Sequence, residues 1–88
     1  MKYQIEYSTL VNAKELRHIP HADLLRIKKA IEAKLGTQPD LFGKPLRRSL
    51  KGHWSLRVGE YRVIYRIEKA IVKIFVIAHR SVVYEELK

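Results

Sequence analysis

Three arginines, Arg57, Arg62 and Arg66, fall within the short segment RVGEYRVIYRI. A guanidinium is a planar fork of donors that grips a phosphate in bidentate fashion, which the point charge of a lysine cannot do. Strand alternation places Arg62, Ile64 and Arg66 on one side and Tyr61, Val63, Tyr65 and Ile67 on the other. If the chain folds back at Gly59, Arg57 becomes a near neighbour of Arg62 on one open face. Two like charges side by side destabilise a sheet unless an anion lies between them, so the pair reads as an anion clamp. The competing reading is a surface arginine, with Arg62 stacked on an aromatic or paired with Glu60 or Glu68.

A second group closes the chain in HRSVVY, from His79 to Tyr84. A histidine can change charge near neutral pH, Arg80 adds a phosphate donor, and Tyr84 offers a hydroxyl or a stacking face. A frayed polar tail accounts for the same residues. Metal chemistry is not expected. The four histidines, His18, His21, His53 and His79, are scattered, and no acidic partner stands at ligand spacing. Cysteine is absent, which removes disulfides, thiolate zinc sites and thiol nucleophiles. Gly36, Gly43, Gly52 and Gly59 are too far apart for a phosphate loop, and nothing resembles a nucleophile elbow. No cofactor is implied.

Charge supports a polyanionic ligand. Eighteen Lys and Arg against nine Asp and Glu give +9. Residues 44–66 hold Lys44, Arg47, Arg48, Lys51, Arg57, Arg62 and Arg66 against a single acid, Glu60, so about a quarter of the chain carries +6. Such clustering is the electrostatic footprint of a nucleic-acid binder, the plainer reading being a solubilising basic surface. The longest apolar run, around Ile74 to Ala78, is too short for a bilayer, and with strand-like residues from the start a signal peptide is not expected. A cytoplasmic protein without membrane contact is expected.

The elements that position these residues follow from periodicity. Eighty-eight residues read as one domain, 1–88, with no repeat or linker. YQIEY alternates as a strand with Tyr3, Ile5 and Tyr7 inward. Ser8 or Thr9 caps a helix to about Ile19, with Leu10, Ala13 and Leu16 on its buried side, ended by Pro20. A second helix spans 21–35, with Leu24, Ile27, Ile31 and Leu35 as its stripe and Gly36 as its stop. Residues 36–53 read as a loop long enough to carry function or hidden order. HWSLRV, YRVIYRI and IVKIFVIAH are strands at hairpin spacing. In the last, Val72, Ile74, Val76 and Ala78 should face one way and Ile71, Lys73, Phe75 and Ile77 the other. The expected fold is α+β in the order β-α-α-β-β-β. A helical hairpin packs on one face of an antiparallel sheet, and the arginines lie on the other.

GEYRVIY, the basic approach GKPLRRSLKGHWSLRVG and the downstream HR…Y together resemble the RelE/ParE toxin superfamily over essentially the whole chain. The resemblance implies the same fold. It also implies the toxin of a type II toxin–antitoxin pair: a ribosome-dependent messenger-RNA endonuclease that cuts in the A site, without metal, by attack of a 2′-OH on the adjacent phosphate. On that likeness Arg62 is the strand arginine, Arg80 the later arginine and Tyr84 the C-terminal catalytic tyrosine, while Arg57 takes the place of a basic residue on the preceding strand. Some members carry two lysines on that strand, where this chain has Ser55 and Arg57. Arginine is too basic to accept a proton near neutral pH, so the base falls to His79 or Tyr84, or to Lys51 or His53 reaching in from the loop. The basic residues Lys44, Arg47, Arg48, Lys51, His53 and Arg66 are expected to bind messenger RNA or ribosomal RNA. A cognate antitoxin is the implied protein partner. Two other functions fit the scaffold: a ParE-like gyrase inhibitor, and an RNA-binding member without catalysis.

Overall fold

The structure, a computed structural model, describes residues 2–8, 11, 16–47 and 51–81. The expected first helix lies largely outside the described residues, as do Arg48 and Tyr84. The elements are β1 (Gln4–Tyr7), α1 (His21–Ala30), which runs on into a π-helical turn at Ile31–Leu35, α2 (Pro39–Phe42), β2 (Lys44–Pro45), β3 (Trp54–Val58), β4 (Tyr61–Glu68) and β5 (Ile71–His79). The strands form one sheet in the order β1-β5-β4-β3-β2. This is the expected α+β architecture, with helix packed on sheet. From β2 to β5 every pairing is antiparallel, but β1 joins β5 in parallel, Gln4 opposite Ile71 and Tyr7 opposite Ile74. Parallel neighbours need a long crossover. Here the helical layer and three strands intervene between them.

α1 forms because its apolar residues recur on one side. Ile27, Ile31 and Leu35 are fully buried against Leu56, Val58, Val63, Tyr65, Val72, Ile74 and Ile77. Burial of each such side chain stabilises the fold by about 1.5–3 kcal/mol. The helix closes through the Gly36 amide, which donates to the Ile31 carbonyl at 3.1 Å, and the Thr37 hydroxyl donates to the Ala33 carbonyl at 2.8 Å. Glycine is required here, since a Cβ at Gly36 would collide with the Glu32 carbonyl oxygen.

The segment 36–53 is not a plain loop. Tyr65, wholly buried in β4, donates its hydroxyl to the Pro39 carbonyl at 2.6 Å. That bond ties α2 to the sheet and leads the chain into β2. The hydroxyl passes so close to Gly43 that any Cβ there would overlap it. Burial, and then the Asp40 carboxylate, push the Tyr65 pKa up, which keeps the hydroxyl a donor.

The two faces of β5 correct the sequence expectation. Ile64 of β4 stands opposite Val76, and the next residue, Tyr65, opposite Ile74, so Phe75 is an extra residue in β5. Such a bulge reverses the parity of everything beyond it. Ile77 therefore joins Val72 and Ile74 in the main core, while Val76 and Ala78 move to the other face. There they pack with Ile64 and Leu46.

Candidate functional site

The turn at Gly59, which holds φ +60°, folds β3 onto β4 with Val58 opposite Tyr61 and Arg57 directly opposite Arg62. Leu56 and Val58 are buried in the core, so Ser55 and Arg57 point to the sheet face away from α1. Cross-strand partners share a face, and Arg62 lies there too. The Arg57 Nε donates to the Gly59 carbonyl at 3.0 Å, which holds its guanidinium near the turn. Arg80 reaches the same turn from β5. Its amide donates to the Glu60 carbonyl at 2.8 Å, and its Nε lies 3.2 Å from the Glu60 carboxylate. All three arginines thus gather around one hairpin.

Beside them is a depression of about 260 Å³ lined by Lys34, Phe42, Lys44, Ser55, Leu56, Arg57 and Arg62. Four of these residues are cationic and none is acidic. Lys44 faces Ser55 across the β2–β3 pair. Ser55 is buried, and its hydroxyl has no hydrogen-bond partner among the described residues. Phe42 is 44% exposed, with the Lys34 ammonium 5.9 Å from its ring centroid. Sequence reasoning gave Lys34, Phe42 and Ser55 no binding role. The one local signal was an aromatic residue set among the turn-forming residues between Pro39 and Gly43.

His79 does not join this group. It stands opposite Tyr61, and the two rings meet edge to face at 5.7 Å. Tyr61 packs on the main core and donates its hydroxyl to Asp23 of α1 at 3.2 Å. Desolvation, followed by that hydrogen bond, raises the Tyr61 pKa. His79 is therefore on the helix side of the sheet, opposite the arginines, because the bulge at Phe75 reversed its parity.

The other candidates are dispersed. Arg66 sits opposite Lys73, four residues along β4 from Arg62, with Glu68 at 3.8 Å. His53 packs edge-on against Phe75 at 5.4 Å, and its Nδ1 is buried without a partner among the described residues. Arg47 and Lys51 are exposed on the connection into β3. Among the described residues no three of His, Cys, Asp and Glu group as metal ligands, and no helix is long and apolar enough to cross a membrane. A separate apolar groove of about 280 Å³ lies on the helix side, lined in part by Tyr7, Leu24, Ile31 and Ile77.

The sequence model of the ParE toxin of type II toxin–antitoxin systems, parDE, matches residues 5–84. The chain belongs to this ParE toxin family. It is 35% identical over 86 residues to Toxin RelG of Mycobacterium tuberculosis (strain ATCC 25618 / H37Rv), covering 96% of this chain and 98% of that protein. Toxin RelE of the same organism is 36% identical over 78 residues, 86% of this chain and 80% of the relative. In the crystal structure of the toxin–antitoxin complex RelBE2 from M. tuberculosis, one chain superposes with a TM-score of 0.83 at 32% identity, covering 92% of this chain and 94% of its own length. The RelE/ParE resemblance of GEYRVIY and its surroundings is borne out. The hairpin with its three arginines is accordingly a feature of a type II toxin.

Proposed function

We propose that this toxin is a ribosome-dependent messenger-RNA endonuclease that cuts in the A site without a metal ion. The observation that carries the reading is the Arg57–Arg62 pair, set opposite one another at the wall of a depression whose lining has four cations and no acid. In the reaction the RNA 2′-oxygen attacks the adjacent phosphorus in line and the bond to the 5′-oxygen breaks. A 2′,3′-cyclic phosphate and a 5′-hydroxyl result, the proton passing from the 2′-OH to the leaving oxygen through the site or solvent. The enzyme must align that hydroxyl and stabilise charge on the phosphorane oxygens. Paired guanidiniums suit the second task, with Arg62 as the principal donor and Arg57 and Arg80 beside it. Tyr84, Lys51 and His53 remain the candidates for proton transfer. The basic residues Lys44, Arg47, Arg48, Lys51 and Arg66 would hold messenger RNA or ribosomal RNA. The same reading takes 1–88 as a single toxin domain acting in the cytoplasm. It pairs the domain with a cognate antitoxin, as in the RelBE2 complex to which it is similar.

The test is purified protein mixed with messenger RNA, with and without translating ribosomes, and cleavage mapped by primer extension. Codon-phased, ribosome-dependent cuts are expected. Arg62→Ala should lower the cutting rate about 10²–10³-fold with the fold intact, the usual loss when one oxyanion donor is removed. An unchanged rate in Arg62→Ala would sink the proposal. Inhibition of DNA supercoiling without RNA cuts would replace it with the gyrase-directed activity that the family's ParE name raises.

A further inference from the structure

Phe42 is an aromatic side chain 44% exposed on a small basic domain, and cationic side chains surround it. It shares one depression with Arg57 and Arg62, and Lys34 extends its ammonium to 5.9 Å from the ring centroid. The ring is also firmly presented. α2, which ends at Phe42, is pinned by the buried Tyr65–Pro39 hydrogen bond, and the Phe42 amide donates to the Gln38 carbonyl at 3.2 Å.

We infer that Phe42 is a base-stacking wall, on which a base of single-stranded RNA lies while Arg57 and Arg62 hold the adjoining phosphate. The inference rests on the proposed RNA reading and adds where a base goes. At about 260 Å³ the depression is below the ~300–1,000 Å³ of drug-sized ligand pockets, which suits one nucleotide of a passing strand. Lys34 lines the same depression and would contact the same nucleotide's phosphate or carbonyl oxygens. The Ser55 hydroxyl, buried and unpartnered among the described residues, is a polar group at the floor still to be matched. Stacking is tolerant of sequence because every base has a π-face, so this wall supplies affinity and position and leaves codon choice to other contacts.

The test is fluorescence anisotropy with a short single-stranded RNA whose 2′-hydroxyls are methylated to prevent cutting. It uses the unaltered chain, Phe42→Ala, Phe42→Tyr, Phe42→Leu and Arg62→Ala, each checked for folding by thermal melting. Phe42→Ala and Phe42→Leu should weaken binding about ten-fold, and Phe42→Tyr should bind like the unaltered protein. On a matched strand of abasic residues the difference between the unaltered chain and Phe42→Ala should vanish. Equal affinity of Phe42→Ala for the normal strand, or an equal loss on the abasic strand, overturns the stacking wall. Weakening by Arg62→Ala with none by Phe42→Ala removes the wall and leaves the phosphate clamp. No binding by the unaltered chain, or none lost in Arg62→Ala, overturns the stacking inference, and the ribosome-dependent cutting assay judges the proposed function separately.

Discussion

Replacing Tyr65 with Phe deletes one oxygen from the middle of the sheet, and the geometry fixes what that oxygen does. The side chain is fully buried and its hydroxyl donates to the Pro39 carbonyl at 2.6 Å. The net worth of such a bond is about 0.5–1.5 kcal/mol, and stranding a buried carbonyl costs about 1–3 kcal/mol. Since Pro39 is itself buried, the second figure governs, and we expect a loss of about 1–2 kcal/mol. For a domain this small that lowers Tm by about 4–8 °C per kcal/mol. Urea unfolding followed by fluorescence is suited to the measurement, because the only tryptophan, Trp54, stands directly opposite Tyr65. Gly43→Ala makes the test sharper. Its Cβ would run into the same hydroxyl, and overpacking of this kind costs about 1–3 kcal/mol. In the double variant the hydroxyl and the worst of the overlap are gone, leaving the closer approach of the methyl to the ring carbons of residue 65. The two costs should therefore fall short of additivity by about 1 kcal/mol or more. Additivity within about 0.5 kcal/mol, or a Tyr65→Phe variant as stable as the parent, would refute this account of how α2 is held.

Other expectations follow from the same geometry. Because His79 lies on the helix side against Tyr61, His79→Gln should alter the rate of messenger-RNA cutting by less than about three-fold, against the 10²–10³-fold loss in Arg62→Ala; a matching loss would return His79 to the site. Burial raises the pKa values of Tyr7, Tyr61 and Tyr65 above the ordinary 10.0, so above that pH the unfolded chain releases protons that the folded chain retains. Stability should hold below about pH 10 and fall as pH rises through the folded values, with a shallower fall in Tyr65→Phe; urea melts at about pH 9, 10 and 11 measure both slopes.

Most of the scaffold was legible because it is written in local periodicities. The stripe of Ile27, Ile31 and Leu35 defines α1, and hairpin geometry about Gly59 is enough to set Arg57 across from Arg62. What stayed hidden depends on contacts between distant residues. Period-two alternation reveals the two faces of a strand but not its partner, so the parallel docking of β1 on β5 left no local mark. The bulge at Phe75 sits in an unbroken apolar run with no glycine to flag it, and missing it put Ile77, Val76 and Ala78 on the wrong faces. Order around α2 comes from a tyrosine hydroxyl arriving from β4, twenty-six residues beyond its acceptor. The company of Phe42 with the arginines follows from that anchor.

The sheet also sorts charge in a way that composition alone does not reveal. At the far end of the open face, Lys73 lies 3.9 Å from Glu6 and Arg66 lies 3.8 Å from Glu68. Exposed pairs of this kind contribute little stability, but they cancel field locally. Between the two ends, Ile64 and Ala78 pack with Leu46 and Val76 in an apolar band. At the hairpin end Arg80 has Glu60, whereas the depression itself gathers Lys34, Lys44, Arg57 and Arg62 with no carboxylate in its lining. A surface made basic only for solubility gains nothing by gathering four cations around a depression whose lining has no carboxylate, with Glu60 beside it at the turn and Glu6 and Glu68 at the far end. A phosphate site does gain, since converging cations beside a low-dielectric band act on an anion more strongly than the same charges dispersed in water. On the proposed reading, the distribution of the acids supports the hairpin, as much as the arginines do, as the place where a polyanion would be held.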